Sequence, residues 1–220
     1  MCAQSRRSGC KHGIRTRMKH ISIEGFDGVG KTTISNIVAK ELGFKFIEKP
    51  LHELFDEGDS FDEYLRIRDK VNSNPDRNFT SLFYGLGSVY MYGKYKDNNI
   101  VTDRHLCSNY AWSGAEYNQD VYGFLLSKLG KPALTVILYA TPSTILQRLK
   151  QRDPKDSDIK KISLSSMIYE KMEFFCKKYK LETLWIETDF RSSTENSELI
   201  LKRFKEIEDN PNKEPEFIKI

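Results

Sequence analysis

The sequence predicts an α/β fold in which helices cover both faces of a mainly parallel sheet of five strands, giving three layers. Short apolar segments alternate along the chain with segments of helical spacing, and this order is typical of a parallel sheet. The segment 133–139 (ALTVILY) is apolar throughout and rich in β-branched residues, as expected of a central strand buried on both faces. A glycine-rich turn at 25–30 joins the first strand to the first helix.

The first elements have simple patterns. The segment 20–24 (HISIE) has the length and apolar character of a short buried strand. The segment 31–42 carries its apolar residues at helical spacing, and Gly43 ends that helix. The segment 44–48 alternates between apolar and polar residues, which predicts a second strand.

The middle of the chain is less regular. Pro50 begins a charged region, within which 61–71 is predicted as a helix. The segment 79–95 is a long helix rich in aromatic residues, and 100–103 (IVTD) is the third strand. The segment 106–129 is predicted to be mostly helical, although its glycines weaken the pattern.

The remaining elements complete the alternation of helices and strands. A helix starts at 144–150, and a polar, charged loop follows it to Lys161. A helix at 163–180, a last strand at 183–188 and a last helix at 195–207 then follow.

The chain of 220 residues suits one domain, predicted at 20–209, with a loose tail at 210–220 that holds two prolines. Residues 1–19 contain six basic residues and no acid, and they are predicted to be a disordered arm outside the fold. Either they form a basic tail or a mitochondrial-type presequence, or Met18 is the natural start, the interpretation we favour.

Charge and hydropathy exclude some function classes. The chain has 35 basic and 31 acidic side chains, and without the six cations of the arm 29 face 31, a net charge of −2. This argues against a nucleic-acid-binding protein with a broad basic surface. No apolar run is long enough to span a membrane. The four cysteines form no CxxC pair, which favours reduced thiols and a cytoplasmic location.

A phosphate-binding motif lies between the first strand and the first helix. The segment 25–32 (GFDGVGKT) matches GxxxxGK[ST] in full. Its glycines let the backbone N–H groups face phosphate oxygens, and Lys31 can neutralise the β- and γ-phosphates. The predicted ATP-binding residues of this P-loop are Gly25, Asp27, Gly28, Val29, Gly30, Lys31, Thr32 and Thr33. Thr32 and Asp103, at the end of the third strand, are the predicted Mg²⁺ ligands.

The rest of the sequence narrows the class of P-loop protein. GTPases carry an NKxD motif, and Asn212-Lys213 is followed by Glu214 and Pro215. The chain is also short for an AAA-type motor. A kinase of small substrates is therefore favoured.

Two segments resemble the thymidylate kinase family. The segment 23–33 (IEGFDGVGKTT) is similar to that family's IEGxDGxGKTT, and 103–112 (DRHLCSNYAW) resembles its DR[YH]xxSxxAY, with Trp112 in place of Tyr. Arg148 and Arg152 resemble the RxxxR entry to its lid, and Asp156 or Asp158 could be the acid that follows. The resemblance covers about 19–189.

The resemblance implies a P-loop NTPase fold with a lid at about 150–161, ATP and Mg²⁺ as cofactors, and a homodimer through the helix at 79–95. Arg104 would bind the acceptor monophosphate, and Asp27 would orient the acceptor sugar or hold Arg104. Arg152 would swing over the transferring phosphoryl group, and Arg148 would stack near the donor adenine. The implied catalytic residues are Lys31, Asp27, Arg104 and Arg152. The implied acceptor-binding residues are Glu48, Phe83, Arg104, Ser108 and Trp112.

The sequence departs from the family pattern where the base would be recognised. The family's LFxxxR motif places an arginine where this chain has Gly87, and a usual glutamine falls on Ser113. The strand-two motif is Glu48-Lys49-Pro50 rather than REP or EP. These departures therefore affect the residues of thymine recognition and leave those of the phosphate chemistry in place.

Three hypotheses follow. The first is a Mg²⁺-dependent nucleoside monophosphate kinase with a dTMP-like acceptor, which Asp27 favours because deoxynucleoside kinases usually lack that acid. The second is a deoxynucleoside kinase with Glu48 as base. The third is a catalytically weak nucleotide-binding module, suggested by the altered base-recognition motifs.

Overall fold

The computed structural model describes residues 18–56 and 60–220. Apart from Met18 and Lys19, the predicted basic arm lies outside the described residues. The strands of the described chain are β1 (His20–Gly25), β2 (Lys45–Ile47), β3 (Ile100–Asp103), β4 (Leu134–Tyr139), β5 (Thr183–Glu187) and β6 (Phe217–Lys219). They form one parallel sheet with the order β2-β3-β1-β4-β5-β6.

The described helices pack against this sheet. They are α1 (Lys31–Leu42), α2 (His52–Phe55), α3 (Asp62–Asn72), α4 (Arg77–Lys94), α5 (Leu106–Ser113), α6 (Gln119–Leu129), α7 (Pro142–Arg152), α8 (Ser165–Lys178) and α9 (Ser193–Asp209). One group of contacts joins α1 to α9, and another joins α4, α5, α6 and α8. The prediction of a mainly parallel α/β fold with covering helices is confirmed. None of the described helices is long and apolar enough to cross a membrane.

The ends of several elements follow from local chemistry. Gly30 and Gly43, both in the left-handed region, bound α1 at the predicted residues. Thr141 caps α7 and Pro142 occupies its first turn, where no backbone donor is needed. Ser192 and Glu195 form a reciprocal capping box that starts α9.

The sheet has one strand more than predicted, because the tail expected to be loose supplies β6. This strand pairs with β5 in the register Thr183↔Phe217. Glu216 anchors it: its backbone N–H donates to Glu182 Oε2 at 2.9 Å, and its carboxylate accepts from Arg203 Nη2 at 2.6 Å. A hydrogen bond to Glu182 beside β5 and an ion pair with Arg203 on α9 therefore fix a segment that was predicted to be loose.

Two further predictions differ from the structure in detail. The helix predicted at 106–129 is broken after α5, because the chain becomes extended at Gly114 and re-enters a helix at Gln119. A Cβ atom at Gly114 would lie 2.3 Å from Tyr110 Cδ2, so the break is closely packed. The polar loop predicted to reach Lys161 contains a 3-10 helix, Ser157–Leu164.

The sheet register brings the motifs together. β1 runs directly into the P-loop, and Ile23 pairs with Asp103 at the end of β3. On the other side of β3, Ile47 pairs with Thr102, so Glu48 follows β2 at the same edge. Ligand sites of open parallel sheets lie at the carboxyl ends of the strands. The fold therefore gathers the P-loop, Asp103 and Glu48 at one edge.

Candidate active site

The P-loop has backbone conformations that require glycine. Gly25 has φ 137°, and a Cβ atom there would lie 2.3 Å from the carbonyl oxygen of Leu138 on β4. Gly30 has φ 90° and directly precedes α1. The loop can therefore lie against β4 and still direct its N–H groups towards a bound anion at the start of α1.

Lys31 is held inside this loop. Its side chain is 6 % exposed, and its Nζ donates to the Phe26 carbonyl at 2.8 Å and lies 3.6 Å from Asp27 Oδ1. Burial lowers the pKa of Lys31, and Arg104 lowers it further, while Asp27 and Asp103 oppose the change. The ammonium group thus lies at the centre of the loop with one carbonyl and one carboxylate as partners.

Thr32 and Asp103 bring two oxygen ligands together. Thr32 Oγ1 donates to Asp103 Oδ2 at 2.5 Å. A hydroxyl and a carboxylate are hard oxygen donors, which suit Mg²⁺ when substrate phosphates complete its coordination. Among the described residues no cluster of three or more His, Cys, Asp or Glu side chains could hold a metal. The donor set fits a metal bound together with its nucleotide.

Arg104 and Asp27 form an ion pair beside the P-loop. Arg104 Nη2 donates to Asp27 Oδ1 at 2.7 Å, and its Nη1 donates to the Gly25 carbonyl at 3.1 Å and to Ser108 Oγ at 3.4 Å. Burial would raise the pKa of Asp27, but Arg104 and Lys31 outweigh burial and hold that pKa well below its usual range. Asp27 is thus in contact with Arg104, and the two roles predicted for Asp27 stay predictions.

The lid entry carries Arg152 at its predicted place, but two acids bind it. Arg152 Nε donates to Asp156 Oδ2 at 2.9 Å, and its Nη2 lies 3.9 Å from Asp158 Oδ2. Its hydrogen bond with Asp156 raises its pKa, and Asp27 adds to that rise. The charge of Asp27 in the P-loop therefore acts on the Arg152 guanidinium group, whereas the hydrogen bonds of that group are to Asp156, in the segment predicted as the lid.

Lys161 is a second lid cation, which the sequence analysis missed. Its Nζ donates to Asp158 Oδ1 at 2.8 Å and lies 5.9 Å from the centre of the Trp112 ring. It is also among the charges that lower the pKa of Asp27. The sequence shows only that Lys161 lies in the charged loop. The pattern does not distinguish Lys160 from Lys161, because the 3-10 helix that orients them was not predicted.

Arg148 lies beside a cavity of about 320 Å³ on the other side of the P-loop. Its Nη1 donates to Thr188 Oγ1 at 3.0 Å and its Nη2 to the Thr188 carbonyl at 2.6 Å. The first turn of α9 also lines the cavity, opposite Gly28–Gly30. The role of Arg148 beside the donor base stays a prediction.

The comparisons with known proteins agree with this geometry. Residues 23–198 match the model of the thymidylate kinase family. The chain belongs to the thymidylate kinase family. It is 29 % identical over 154 residues to a probable thymidylate kinase of Sulfolobus acidocaldarius, covering 69 % of this chain and 79 % of that protein. It is 26 % identical over 165 residues to probable thymidylate kinase 1 of Saccharolobus solfataricus, covering 73 % and 85 %.

Solved structures share the fold at lower identity. A deoxyadenosine kinase from M. mycoides, with dCMP and dCDP bound as products, superposes with a TM-score of 0.58 at 18 % identity, covering 86 % of this chain and all of that one. The Bacillus subtilis YorR protein, in complex with phosphorylated GDP, has a TM-score of 0.56 at 23 % identity, covering 87 % and 98 %. The thymidylate kinase family and this shared fold make the chain a phosphotransferase, against the third hypothesis.

On the acceptor side, this chain has no room at position 87 for the arginine of the family's LFxxxR motif. Gly87 is buried in α4, and a Cβ atom there would lie 2.9 Å from Leu51 Cγ. Phe83, the predicted base platform, stacks on Phe55 with ring centres 6.1 Å apart. The packing of α4 against Leu51 thus explains why this chain has glycine at position 87 where the family has arginine.

Arg68 on α3 is a further cation of this side that sequence reasoning missed. Burial raises the pKa of Tyr84 to about 12, and both Arg68 and Arg104 oppose that rise. The Tyr84 hydroxyl donates to Asn72 Oδ1 at 2.7 Å, and Arg68 Nε donates to Asp69 Oδ1 at 2.9 Å. The sequence gives no motif at Arg68, and α3 and α4 come together only in the folded chain.

Glu48 and Trp112 occupy the two edges of the acceptor side. Glu48 follows β2 next to Asp103 in register, and its Oε1 accepts from Lys49 Nζ at 2.7 Å. Trp112 lies on α5 with its ring centre 5.8 Å from that of Phe26 in the P-loop. Their predicted roles in acceptor binding stay predictions.

Proposed function

We propose that the chain is a Mg²⁺-dependent nucleoside monophosphate kinase that transfers the γ-phosphoryl group of ATP to a deoxynucleoside monophosphate of the dTMP type. The observation that carries this proposal is the Arg104–Asp27 pair at the P-loop. A fixed guanidinium presents a planar fork of donors that matches a phosphate group, and a nucleoside acceptor has no phosphate for it to bind. Phosphate-to-phosphate transfer also needs no strong general base.

The residues of the chain supply position and charge. When ATP binds, Lys31 exchanges its hydrogen bond with the Phe26 carbonyl for contacts with the β- and γ-phosphates. Arg104 holds the acceptor phosphate in line with them. Arg152 and Lys161 exchange their hydrogen bonds with Asp156 and Asp158 for contacts with the transferring phosphoryl group, as negative charge develops on it. Thr32 and Asp103 would hold Mg²⁺, which when bound neutralises charge on the donor phosphates.

The second candidate is a deoxynucleoside kinase. Glu48 favours it, because this carboxylate follows β2 at the edge where Asp103 ends β3. The M. mycoides neighbour in the same fold is a deoxyadenosine kinase. Against it, Lys49 already binds Glu48 at 2.7 Å, and a base neutralised by a lysine is poorly placed to take a proton.

A substrate panel separates the two candidates. The purified chain is to be assayed with ATP and Mg²⁺ against the four deoxynucleoside monophosphates, UMP, CMP and the corresponding nucleosides, with a Lys31→Ala variant prepared in parallel to measure contaminating kinases. We expect dTMP to have the highest kcat/KM and nucleosides to be at least about tenfold poorer acceptors. Faster turnover of a nucleoside, lost in Glu48→Gln, would favour the second candidate instead.

The assembly we propose is a homodimer through α4. Four apolar side chains with 45–52 % exposure follow one face of this helix at helical spacing: Phe79, Leu82, Leu86 and Val89. A contiguous exposed apolar face is typical of a protein interface. Light scattering should give twice the mass of the chain for the wild type and the monomer mass for Leu82→Asp combined with Leu86→Asp. A monomeric wild type would contradict this assembly.

The compartment we propose is reducing. Cys107 on α5 and Cys176 on α8 are both buried and free, with their Sγ atoms 3.8 Å apart. Burial is the main cause that raises the pKa of the Cys107 thiol, with Cys176 adding to it, which keeps it protonated and unreactive. Intact-mass measurement on protein from a native source should find both thiols free.

A further inference from the structure

The first turn of α5 is capped by a residue from another strand. Helix α5 has no capping side chain of its own at His105. Instead, Glu24 at the end of β1 accepts three hydrogen bonds on its Oε2: from the backbone N–H of His105 at 3.2 Å, from the backbone N–H of Ser108 at 3.1 Å and from Ser108 Oγ at 2.5 Å. Its Oε1 accepts from Ser22 Oγ at 2.6 Å.

Glu24 is enclosed, and each of these partners is a donor. Its side chain has no exposure to solvent. A buried carboxylate is tolerated only where its oxygens are satisfied, and here four donors converge on it. A carboxylate accepts on both oxygens, whereas a carboxamide would turn an NH₂ group towards at least one of these donors.

The backbone that Glu24 holds is the backbone of Arg104. Arg104 lies between β3 and α5 with φ 77°, a left-handed conformation that a residue with a Cβ atom adopts only where its surroundings enforce it. Its own N–H donates to the Ile23 carbonyl at 2.9 Å, one residue before Glu24. Contacts from β1 therefore hold the strained residue through its own N–H, and hold the chain after it through the N–H groups of His105 and Ser108.

We infer that Glu24 is a positioning residue, which caps α5 across the sheet and thereby sets the direction in which Arg104 presents its guanidinium group to the acceptor phosphate. This inference rests on the proposed function, because it assigns the acceptor to Arg104. The hydrogen bond that holds Lys31 lies within the P-loop, and Gly30 borders α1, so neither contact involves Glu24. Loss of the cap should therefore weaken acceptor binding and leave donor binding intact.

The test compares two carboxylates that accept hydrogen bonds from backbone N–H groups, by the same substitution. Glu24→Gln removes the negative charge of the cap of α5 and replaces one of its two acceptor oxygens by an NH₂ group. Glu182→Gln is the matched control, because Glu182 also accepts from a backbone N–H, that of Glu216 at 2.9 Å, and from a buried arginine, Arg203, but it lies on the β5–β6 side. For each variant, KM for the acceptor, KM for ATP and kcat are measured, together with the thermal unfolding midpoint.

We expect Glu24→Gln to raise the acceptor KM about tenfold, the effect of misplacing one charge-assisted contact, while KM for ATP stays within about twofold of wild type. Glu182→Gln should lower the unfolding midpoint without separating the two KM values. Unchanged acceptor KM in Glu24→Gln, equal changes in both KM values, or the same separation in Glu182→Gln would each overturn the inference.

A second variant covers the case in which Glu24→Gln does not fold. Glu24→Asp keeps two acceptor oxygens but is one methylene shorter, so the same separation of KM values is expected at about threefold. If neither variant folds while Glu182→Gln does, Glu24 has a general structural role and the inference is wrong. Failure of the proposed function is a different result, because the wild-type chain would then phosphorylate no monophosphate at all.

Discussion

The two sides of this site are built in different ways. Most of the donor side is one continuous segment, in which the P-loop glycines, Lys31 and Thr32 follow each other; Lys31 bonds Phe26 in that segment, and Thr32 bonds Asp103 at the end of β3. The acceptor side is assembled from β2, α3, α4 and α5, and its residues meet only through packing. Arg104 is the residue that touches both sides, because it binds Asp27 in the P-loop and lies at the start of α5.

This difference indicates which side of the site tolerates amino-acid substitutions. A loop that must wrap a phosphate depends on backbone conformations such as the φ of 137° at Gly25, and few sequences can supply them. A base pocket depends on side chains from several helices, and one can replace another. Here the packing of Leu51 against Gly87 excludes a side chain at that position of α4. Phosphate chemistry can therefore be retained while base selection changes.

The largest expected effect tests the donor side. Lys31→Ala should fold normally but lose about 10³-fold in kcat with every acceptor, because it removes a preorganised cation from the developing phosphate charge. Steady-state kinetics with ATP measures it. Lys40→Ala, a lysine in the last turn of the same helix, is the control and should keep wild-type rates. Comparable rates in both variants would contradict the P-loop assignment.

The sequence predicts the donor side well because its motif is local. Helix α1, strand β3 and the contacts of Lys31 and Thr32 all depend on residues within one continuous segment or one strand end. Lys161, Arg68 and Glu24 were missed because each acts across a long separation in sequence. Glu24, for example, lies 84 residues from its hydrogen-bond partner Ser108. Periodicity predicts elements, whereas such contacts follow from how the elements pack.

The next largest effect separates the two sides at the residue that joins them. Arg104→Gln should raise the acceptor KM about 100-fold, because it removes two charge-assisted contacts to phosphate, and should change KM for ATP little. Initial-rate kinetics with each substrate varied measures the separation. Arg66→Gln is the control, since Arg66 is an exposed arginine on α3 paired with Glu63. An equal rise in both KM values would place Arg104 on the donor side.

A smaller effect tests whether packing shapes the acceptor side. Gly87→Ala should destabilise the fold by about 1 kcal/mol, since overpacking costs roughly 1–3 kcal/mol and the better helix propensity of alanine returns about 0.5–1 kcal/mol. Gly93→Ala on the same helix should instead stabilise, because a Cβ atom there meets nothing within 4 Å. Urea unfolding measures both.

A double variant then attributes the cost to one contact. If Leu51 is what a side chain at position 87 meets, Leu51→Ala should reduce the cost of Gly87→Ala, with a coupling free energy of about 0.5–3 kcal/mol. Additive effects in the cycle would mean that another part of α4 excludes the side chain and that the acceptor pocket is less closed than described.

The smallest expected effect concerns His20 and His105, two buried histidines close to Arg104, the residue that contacts both sides of the site. His105 follows Arg104, and its ring lies edge-on to His20 with ring centres 4.7 Å apart. Burial lowers the pKa of His105 to about 3, and burial followed by His105 lowers the pKa of His20. The partners around the pair are Tyr92, 2.7 Å from His20 Nδ1, and Thr102, 2.9 Å from His20 Nε2.

These depressed pKa values make the fold less stable in mild acid. Below a pH of about 6.5 the unfolded chain binds a proton on each histidine, while the folded chain keeps His105 neutral down to about pH 3. The unfolded state therefore binds more protons, and each histidine lowers the free energy of unfolding by about 1.4 kcal/mol per pH unit below 6.5. His105→Phe keeps a ring against His20 and should remove one of these two contributions.

Urea unfolding of wild type and His105→Phe at pH 7.5, 6.5, 5.5 and 4.5 checks this slope. The variant should lose less stability per pH unit below 6.5 by about 1.4 kcal/mol, whatever its stability at pH 7.5. Parallel curves would mean that His105 is protonated in the folded state. Because the ring adjoins the backbone of Arg104, a charged His105 would also place a second cation next to the acceptor side, and acceptor KM would then change with pH between 5 and 7.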